Sequence, residues 1–430
     1  RVGRNAVDMI LIGGEPFGLF YSAGAGWRLS SESFMADLHW LQELKVRASY
    51  GLAGNDDIGN LASLQYYTVD HYRETTAMVP GILTDQTLKF ETNKQLNVGM
   101  DLGLFAHRIN FTADWYRNMT EDLVVYEPQP SYLGYSLVPT NNGSLSNNGW
   151  ELALSGRILN MEKLTWEVGM HLSQFNNEVI FIQDDAVVSP FEGGYFISQV
   201  GEPVLSFYGY RYRGVYATSA EAAEDGLVTE KGVPFGAGDA IYDDISGPEG
   251  SPDGVINELD RTIIGSPIPS LFGGGSSMVR YGRWSLSAHL QMVTGQEVYN
   301  YVRYQNERMT GLANQSTHTL SRWTHEGQET NVPRALYNDP VGNSAFSSRW
   351  IEDGSYIRLK HLTLAYRIPE QVWFFRNLEV FATATNLYTW TKYLGYDPEF
   401  SYSYHNMEQG IDYGLIPPVK SYIVGFSIGL

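Results

Sequence analysis

Apolar and polar residues alternate along much of this chain in segments of about ten residues. Within 96 to 104, for example, Leu96, Val98 and Met100 alternate with Asn97, Gly99 and Asp101. Successive side chains of a β-strand point to opposite faces, so each segment predicts a strand with one apolar and one polar face. A tilted strand of about ten residues is long enough to cross a bilayer.

These segments come in pairs that are joined by short turns such as "FAHR", "NMEK" and "YGR". The pairs are 19 to 29 with 42 to 51, 96 to 104 with 109 to 116, 150 to 158 with 164 to 172, 272 to 281 with 284 to 292, and 356 to 367 with 377 to 388. A first strand within 3 to 13 and a last strand at 421 to 430 bring the predicted number to about twelve.

The connections between the pairs are long, and they carry most of the Pro, Asn, Asp and Tyr. They cover 52–90, 119–147, 176–271, 295–355 and 389–420. Tight turns at one end and large loops at the other are typical of an outer-membrane barrel. The sequence therefore predicts an all-β protein, a transmembrane antiparallel β-barrel.

The strand that begins at Trp284 gives a specific register prediction. The lumen-facing set is Ser285, Ser287, His289 and Gln291, and the lipid-facing set is Leu286, Leu290 and Met292. A slip of one residue would place four polar side chains in hydrocarbon, where unsatisfied polar groups are costly.

Composition excludes several classes of function. The net charge of -19 argues against nucleic acid as a partner, because phosphate neutralisation needs a basic face. The chain has no Cys, so it forms neither disulfides nor thiolate metal sites. No apolar run reaches the roughly 18 residues of a membrane helix. Because no catalytic motif or tight His spacing occurs either, we predict that the chain is not an enzyme.

Several strings resemble the SusC-like, TonB-dependent outer-membrane transporters of Bacteroidetes-type Gram-negative bacteria, in the family's order across nearly the whole chain. They are "SAGAGWRLSSESF", "LKVRASYGLAGN", "ETNKQLNVGMDLGLF", "NNGWELALSGRIL", "GEPVLSFYGYRYRGVY", "DGVINELDRTIIGSPIPSLFGGG", "RWIEDGSYIRLKHLTLAYRIP", "NLEVFATATNLYTWTKYLGYDPE" and "PPVKSYIVGFSIGL".

The resemblance implies that residues 1–430 are the C-terminal part of such a barrel. About twelve of roughly 22 strands would be present, and the plug and the TonB-contacting segment would be absent from this chain. The final strand would then close the barrel against a first strand that lies elsewhere. The expected site of action is the outer membrane, with the barrel surrounded by its lipid.

The function that the resemblance implies is active import of a large nutrient, an oligosaccharide or a peptide. Its expected partners are a SusD-like surface lipoprotein on the extracellular loops and the TonB complex, which would be contacted through the missing N-terminal part. A homodimer of transporter–lipoprotein pairs is a further expectation. The alternative is a structural or docking subunit of a larger outer-membrane assembly.

One acidic segment, "DDISGPEGSPDGVINELDR", invites a metal interpretation. Its last part follows the back half of a calcium loop, in which a Gly permits the turn and carboxylates supply oxygen ligands. The candidate calcium ligands are Asp243, Asp244, Asp253, Asn257 and Asp260. The alternative is a metal-free loop that is held by Asx turns.

The loops are also rich in Tyr, with Tyr126, Tyr132, Tyr135, Tyr195, Tyr208, Tyr210 and Tyr212 as examples. Aromatic faces stack on sugar rings, and phenol hydroxyls bind polar substrates. The candidate substrate-binding residues are Tyr126, Tyr132, Tyr135, Tyr208 and Tyr210. The alternative is that these rings pack the loops or form interfacial girdles.

Overall fold

The computed structural model describes residues 2–6, 17–55, 67–72, 75–80, 88–128, 137–369, 376–400 and 409–429. These residues form mostly β-strands. In chain order the strands and the two α-helices are β1 (Val2–Ala6), β2 (Phe17–Arg28), β3 (Leu41–Asn55), β4 (Tyr67–Tyr72), β5 (Thr75–Pro80), β6 (Glu91–Leu104), β7 (Ile109–Pro128), β8 (Leu137–Asn160), β9 (Leu164–Ile182), β10 (Ala186–Phe191), β11 (Gly194–Gln199), β12 (Ser206–Gly209), β13 (Tyr212–Val215), α1 (Ser219–Asp225), β14 (Val228–Thr229), β15 (Ala240–Tyr242), β16 (Val255–Ile256), β17 (Thr262–Gly265), β18 (Leu271–Tyr281), β19 (Trp284–Thr294), β20 (Glu297–Tyr299), α2 (Tyr301–Glu307), β21 (Ile351–Asp353), β22 (Tyr356–Arg367), β23 (Arg376–Thr391) and β24 (Ser421–Gly429).

Twelve strands form one antiparallel sheet, which confirms the predicted fold class. Their order across the sheet follows the chain: β1, β2, β3, β6, β7, β8, β9, β18, β19, β22, β23 and β24. Pairing between consecutive strands is the simplest antiparallel arrangement, because each pair needs only a hairpin. Among the described residues, β24 pairs with β23 and with no other strand.

The ends of the sheet differ as the sequence predicts. Short turns join β6 to β7, β8 to β9 and β18 to β19, and the first of these turns holds Phe105, Ala106 and His107 at positive φ. The opposite ends of β9, β18 and β19 lead into the long connections 183–270 and 295–355. One end of the sheet therefore carries short turns, and the other end carries the long connections.

Two predicted loops are shorter than expected because pairing continues beyond the apolar alternation. The predicted loop at 119–147 is instead paired strand up to Pro128 and again from Leu137. The predicted loop at 52–90 begins with paired residues through Asn55 and carries the hairpin of β4 and β5. Backbone pairing does not depend on strict apolar alternation, so β7 and β8 stay paired through the register shifts near Leu123, where the alternation is lost.

The connections at 183–270 and 295–355, together called the loop layer, are folded rather than irregular. They contain a four-stranded sheet of β10, β11, β12 and β17, as well as the pairs β13–β15, β14–β16 and β20–β21. Both α-helices also lie there, and none of the helices in the described ranges is long and apolar enough to span a membrane.

Two aromatic clusters hold the loop layer together. The first surrounds Tyr216, Phe235 and Tyr242. The second consists of Phe196, Phe207, Tyr299, Phe346, Trp350 and Ile411, four of which are 0% exposed. Packed aromatic pairs with centroids about 4.5–7 Å apart stabilise such cores beyond simple burial. The loop layer therefore has its own hydrophobic cores, separate from the twelve-stranded sheet.

The alternation predicted for β19 is confirmed, and its assignment to lumen and lipid stays a prediction. Ser287 and His289 line a cavity on one face of the sheet, and Gln291 Nε2 donates to Tyr356 Oη at 3.0 Å. Leu286 and Leu290, on the other face, are each 44% exposed. At β19 the sheet thus has one polar face and one apolar face.

A bulge in β22 and β23 shapes the end of the sheet next to the loop layer. Lys360 and Asn386 fall where the register of these two strands shifts, and Asn386 has a φ of 51°. Arg358, two residues before Lys360, is 1% exposed and binds both Asp397 and Glu399. This ion network fastens residues 392–400 to the polar face.

Candidate functional site

The polar face of the sheet carries a cavity of about 690 Å³, which we call the polar-face cavity. Strands β2, β3, β6, β7, β8 and β9 contribute to its wall, because alternate residues of each strand point to this face. Its hydrophilic lining on this face consists of Ser22, Ser49, Gln95, Asn97, Tyr116, Asn118, Asn147 and Glu151. Amide and hydroxyl groups both donate and accept hydrogen bonds, so this wall suits a neutral polar ligand.

An ion network lies beside the polar-face cavity. Arg47 Nη2 binds Asp114 Oδ2 at 2.6 Å, Nη1 donates to Asn97 Oδ1 at 3.3 Å, and Nε lies 3.4 Å from Asp101 Oδ2. Lys45 is a second cation near Asp101, at 3.7 Å. The two cations balance the two carboxylates, so the cavity wall keeps little net charge on this side.

A smaller cavity of about 390 Å³ lies in the loop layer, and we call it the loop pocket. Phe191 and Phe346 form its apolar wall, and Tyr195, Tyr210 and Arg261 form the other side. The two Phe rings are 5.3 Å apart with an interplanar angle of 89°. Its volume is within the usual range of small-ligand sites, about 300–1,000 Å³.

The turn between β10 and β11 places Phe191 and Tyr195 in the loop pocket. Gly193 in this turn has a φ of 87°, a conformation that residues other than Gly rarely adopt, and a Cβ there would lie 2.8 Å from Tyr299 Oη. Tyr301 Oη of α2 donates to Glu192 Oε1 at 2.7 Å. The tip of the hairpin is therefore fastened to the helix beside it.

The acidic segment 243–260 positions Arg261. Asn257 and Asp260 form a reciprocal capping box on the 3₁₀ turn Glu258–Asp260, and Arg261 follows directly. Asp260 is 0% exposed and accepts hydrogen bonds from the backbone N–H groups of Ile245, Ser246 and Asn257 at 2.9–3.2 Å. The fully bonded carboxylate fixes the backbone from which Arg261 projects.

Two aromatic rings hold the guanidinium of Arg261. Its Cζ lies 4.4 Å from the ring centroid of Tyr195 and 5.8 Å from that of Tyr210. Cation–π contacts of this length are attractive. Burial raises the pKa of both Tyr208 and Tyr210 above their usual value, so both phenols are protonated at neutral pH and are able to donate hydrogen bonds.

The structure does not bring the five predicted substrate-binding tyrosines together in one place. Tyr210 lines the loop pocket, and Tyr208 is half-buried on β12 close by. Tyr126 is 44% exposed on β7, away from the residues that line the loop pocket. Tyr132 and Tyr135 lie outside the described residues. Substrate binding by these five residues stays a prediction.

Sequence reasoning missed Phe191, Phe346 and Arg261 as parts of a site. They lie far apart in the chain; Phe191 and Phe346 belong to none of the strings singled out above, and Arg261 ends the acidic segment, where only the carboxylates and Asn257 suggested a site. The available signal was the pair of glycines before Tyr195, which indicates a sharp turn with close packing. Only the folded loop layer brings the three residues together.

Gly209 allows strand β12 to approach the apolar wall of the loop pocket. A Cβ at this position would lie 2.6 Å from the backbone oxygen of Phe346, closer than packed atoms come. The next residue, Tyr210, donates its backbone N–H to that same oxygen at 3.0 Å. The strand therefore places Phe207 in the second aromatic cluster and, at its end, Tyr210 in the loop pocket.

The five predicted calcium ligands lie near one another in sequence but have other partners. Asp243 forms ion pairs with Arg211 and Arg213. Asp244 Oδ2 accepts from Gly254 N at 2.7 Å, and its Oδ1 is buried without a hydrogen-bond partner among the described residues.

The remaining candidate calcium ligands accept hydrogen bonds from backbone N–H groups of the loop. Asp253 Oδ1 accepts from Val255 N at 2.9 Å, and Asn257 and Asp260 form the capping box. In the described ranges, no three His, Cys, Asp or Glu side chains gather closely enough to hold a metal ion. Calcium binding at this segment stays a prediction.

The fold and its polar-face cavity define the class of outer-membrane β-barrels with elaborate loops on one side. Residues 12–387 match the family model described as TonB dependent receptor-like, beta-barrel. The chain belongs to this family, which confirms the resemblance found in the sequence. The family consists of receptors and transporters, and no comparison supports an enzymatic activity.

Curated relatives agree with the family model. The chain is 31% identical to TonB-dependent receptor P3 of Formosa agariphila over 431 residues, which are 96% of this chain and 42% of that protein. It is 26% identical to TonB-dependent receptor SusC of Bacteroides thetaiotaomicron, over 96% of this chain and 40% of SusC. The chain therefore spans less than half the length of these relatives.

A solved structure shows the same fold. The RagAB peptide transporter structure has a chain that superimposes with a TM-score of 0.81 at 25% sequence identity. The match covers 97% of this chain and 44% of that chain. The agreement extends over the twelve-stranded sheet and the loop layer together, since nearly the whole chain is covered.

Proposed function

We propose that this chain forms part of the barrel of a SusC-like transporter that imports a large nutrient across the outer membrane, either an oligosaccharide or a peptide. The observation that carries the proposal is the two-sided sheet. Its polar face bears a cavity of about 690 Å³, and its other face exposes apolar side chains such as Leu286 and Leu290. Such a sheet suits a wall between lipid and a polar passage.

The proposed location is the outer membrane of a Bacteroidetes-type Gram-negative bacterium. Relatives from Formosa and Bacteroides support this location. The proposed partners are a SusD-like surface lipoprotein over the loop layer and the TonB complex on the opposite side, reached through a part of the transporter outside this chain. Two such transporter–lipoprotein pairs would form a homodimer.

One similar structure bears on the substrate class. The RagAB structure is that of a peptide transporter, whereas the name of the curated relative SusC states no substrate. The neutral amides and hydroxyls of the polar-face cavity suit the hydroxyls of a sugar and the backbone of a peptide equally well. The substrate class therefore has to be measured.

Uptake by a deletion strain tests the proposal. Cells that lack the gene should lose energised uptake of either a labelled oligosaccharide or a labelled peptide mixture, and the intact gene should restore it. A protonophore should abolish the same uptake, because TonB action is energised. Wild-type uptake of both nutrients by the deletion strain, with loss of another surface complex, would instead support a docking subunit.

A variant pair tests the passage itself. Asn118→Trp places a large ring in the polar-face cavity, whereas Leu290→Trp adds a large ring to the apolar face. The first change should slow uptake at least about tenfold by obstruction, a barrier increase of about 1.4 kcal/mol. The second should leave uptake near the wild-type rate. Similar uptake by both variants would contradict a passage along this face.

A further inference from the structure

The loop pocket joins one cation to a largely aromatic lining. Among the described residues that line it, Arg261 alone carries a charge, and its side chain is only 15% exposed. A guanidinium that is mostly removed from water loses hydration, and an anionic ligand compensates for that loss best. Such a lining should bind an acidic ligand more tightly than a neutral one.

The carboxylate that already binds Arg261 is exposed to water. Arg261 Nη2 donates to Glu258 Oε1 at 3.0 Å, but the Glu258 side chain is 73% exposed. Ion pairs at such exposed positions contribute only about 0–1 kcal/mol because water competes for both charges. Glu258 is thus a weak competitor for a guanidinium that has several N–H donors.

The rigidity of the site favours selective binding. The capping box fixes the backbone before Arg261, and Tyr195 holds its guanidinium face at 4.4 Å. The stacked face leaves the edges of the planar group to form hydrogen bonds, and a carboxylate matches such an edge with two parallel bonds. A ligand that binds a preorganised group loses little conformational entropy in the protein.

From these observations the geometry points to a carboxylate-binding subsite in the loop pocket. The ligand's carboxylate would bind Arg261, and its adjoining ring or side chain would lie against Phe191 and Phe346. This inference rests on the proposed function, since it names the chemistry of the imported nutrient. The C-terminus of a peptide and the uronate group of an acidic oligosaccharide share this chemistry.

Equilibrium dialysis with four probes tests the subsite on the full-length transporter in detergent. The peptide probes are a random-sequence N-acetylated hexapeptide mixture with free C-terminal carboxylates and the same mixture with C-terminal amides. The glycan probes are trigalacturonic acid and neutral maltotriose. At least one acidic probe should bind tighter than its neutral counterpart, and which one it is identifies the source of the carboxylate.

Two substitutions should change acidic binding in opposite directions. Arg261→Gln should weaken it about 10- to 100-fold, the value of a lost charge-assisted pair. Glu258→Gln should strengthen it about twofold, because the competing carboxylate is removed. Neither should alter binding of the neutral probes. Arg283→Gln, in the turn between β18 and β19, is the matched control and should bind all four probes as the wild type does.

Folding is checked by the heat-dependent gel mobility of each variant. Equal binding of acidic and neutral probes, or acidic binding that is unchanged in Arg261→Gln, would overturn the subsite. Energised uptake by cells reports the proposed function separately. Uptake that persists in Arg261→Gln cells without acid selectivity in either strain would refute the subsite alone, whereas absence of uptake in wild-type cells would refute transport.

Discussion

Replacing Arg358 by Met should release residues 392–400 from the polar face of the sheet. Arg358 is 1% exposed and donates to Asp397 Oδ1 at 2.5 Å, to Glu399 Oε2 at 2.6 Å and to Thr389 Oγ1 at 2.8 Å. Met is apolar and has a similar length, so the change removes the charge while filling much of the space. The two carboxylates then lose their common partner.

The free-energy cost of Arg358→Met depends on the partners that Asp397 and Glu399 keep. Glu399 keeps Lys360 Nζ at 2.6 Å and is 36% exposed, so water and Lys360 replace part of what it loses. Asp397 is 13% exposed and has no second cation among the described ion pairs. Breaking a buried pair costs about 3–5 kcal/mol, and the retained Lys360 contact favours the lower value of about 3 kcal/mol.

Hydrogen–deuterium exchange of residues 392–400 measures this free-energy cost, because amides exchange when the segment opens locally. A loss of about 3 kcal/mol corresponds to exchange roughly 100-fold faster at these amides. Arg367→Met is the matched control, because Arg367 is 66% exposed and lies 3.9 Å from Glu379. An exposed pair of this kind contributes about 0–1 kcal/mol, so exchange should change less than about fivefold.

Equal acceleration of exchange at 392–400 by Arg358→Met and Arg367→Met would refute this role of Arg358. A double-mutant cycle with Asp397→Asn adds a second check. The two single changes should be strongly non-additive, because each removes the same ion pair. Additive effects would show that Arg358 and Asp397 act independently of each other.

Three further predictions concern other parts of the molecule. A water-soluble thiol reagent should label Ser287→Cys from the aqueous passage, whereas Leu286→Cys should stay unlabelled in the membrane; the reverse pattern would contradict the register. If the segment 243–260 binds calcium, chelation should speed its proteolysis, and the double change Asp253→Asn with Asp260→Asn should remove that dependence; equal proteolysis with and without calcium would leave the metal-free loop. Burial raises the pKa of Tyr212 from 10.0 to about 12, so its contribution to stability is fully present below pH about 10 and is lost as the pH rises towards 12. Absorbance at about 295 nm should show tyrosinate forming together with faster hydrogen exchange in the loop layer, and ionisation without faster exchange would contradict this linkage.

The twelve-stranded sheet was predictable because each strand has two chemically different faces. The pair β18 and β19 lies within two residues of its predicted bounds, since alternation persists to both ends. The strand β7 was predicted at 109 to 116 but continues to Pro128. Beyond Tyr116 the apolar residues are no longer alternate, as in the run from Leu123 to Tyr126, so periodicity does not mark a strand that hydrogen bonds still hold.

The loop pocket was less predictable because tertiary packing assembles it. Tyr210 was identified as a loop aromatic, but sequence alone does not distinguish a ring that lines a pocket from one that packs a core. Arg261 follows an acidic segment that suggested calcium, whereas the structure shows Asp260 bonded to backbone N–H groups. Both uses of a carboxylate produce similar sequences, because both rely on tight turns with Asp and Asn.

The amide-rich wall of the polar-face cavity has a consequence for the speed of transfer. Gln95, Asn97, Asn118 and Asn147 offer a cargo many hydrogen bonds of similar strength. A molecule that moves along such a wall exchanges one partner for the next, so no single position holds it in a deep energy minimum. Passage requires binding that is favourable enough to admit a cargo and weak enough to release it. If the proposed transport holds, a wall of interchangeable amides would meet both conditions, and selectivity would then be left to the loop layer.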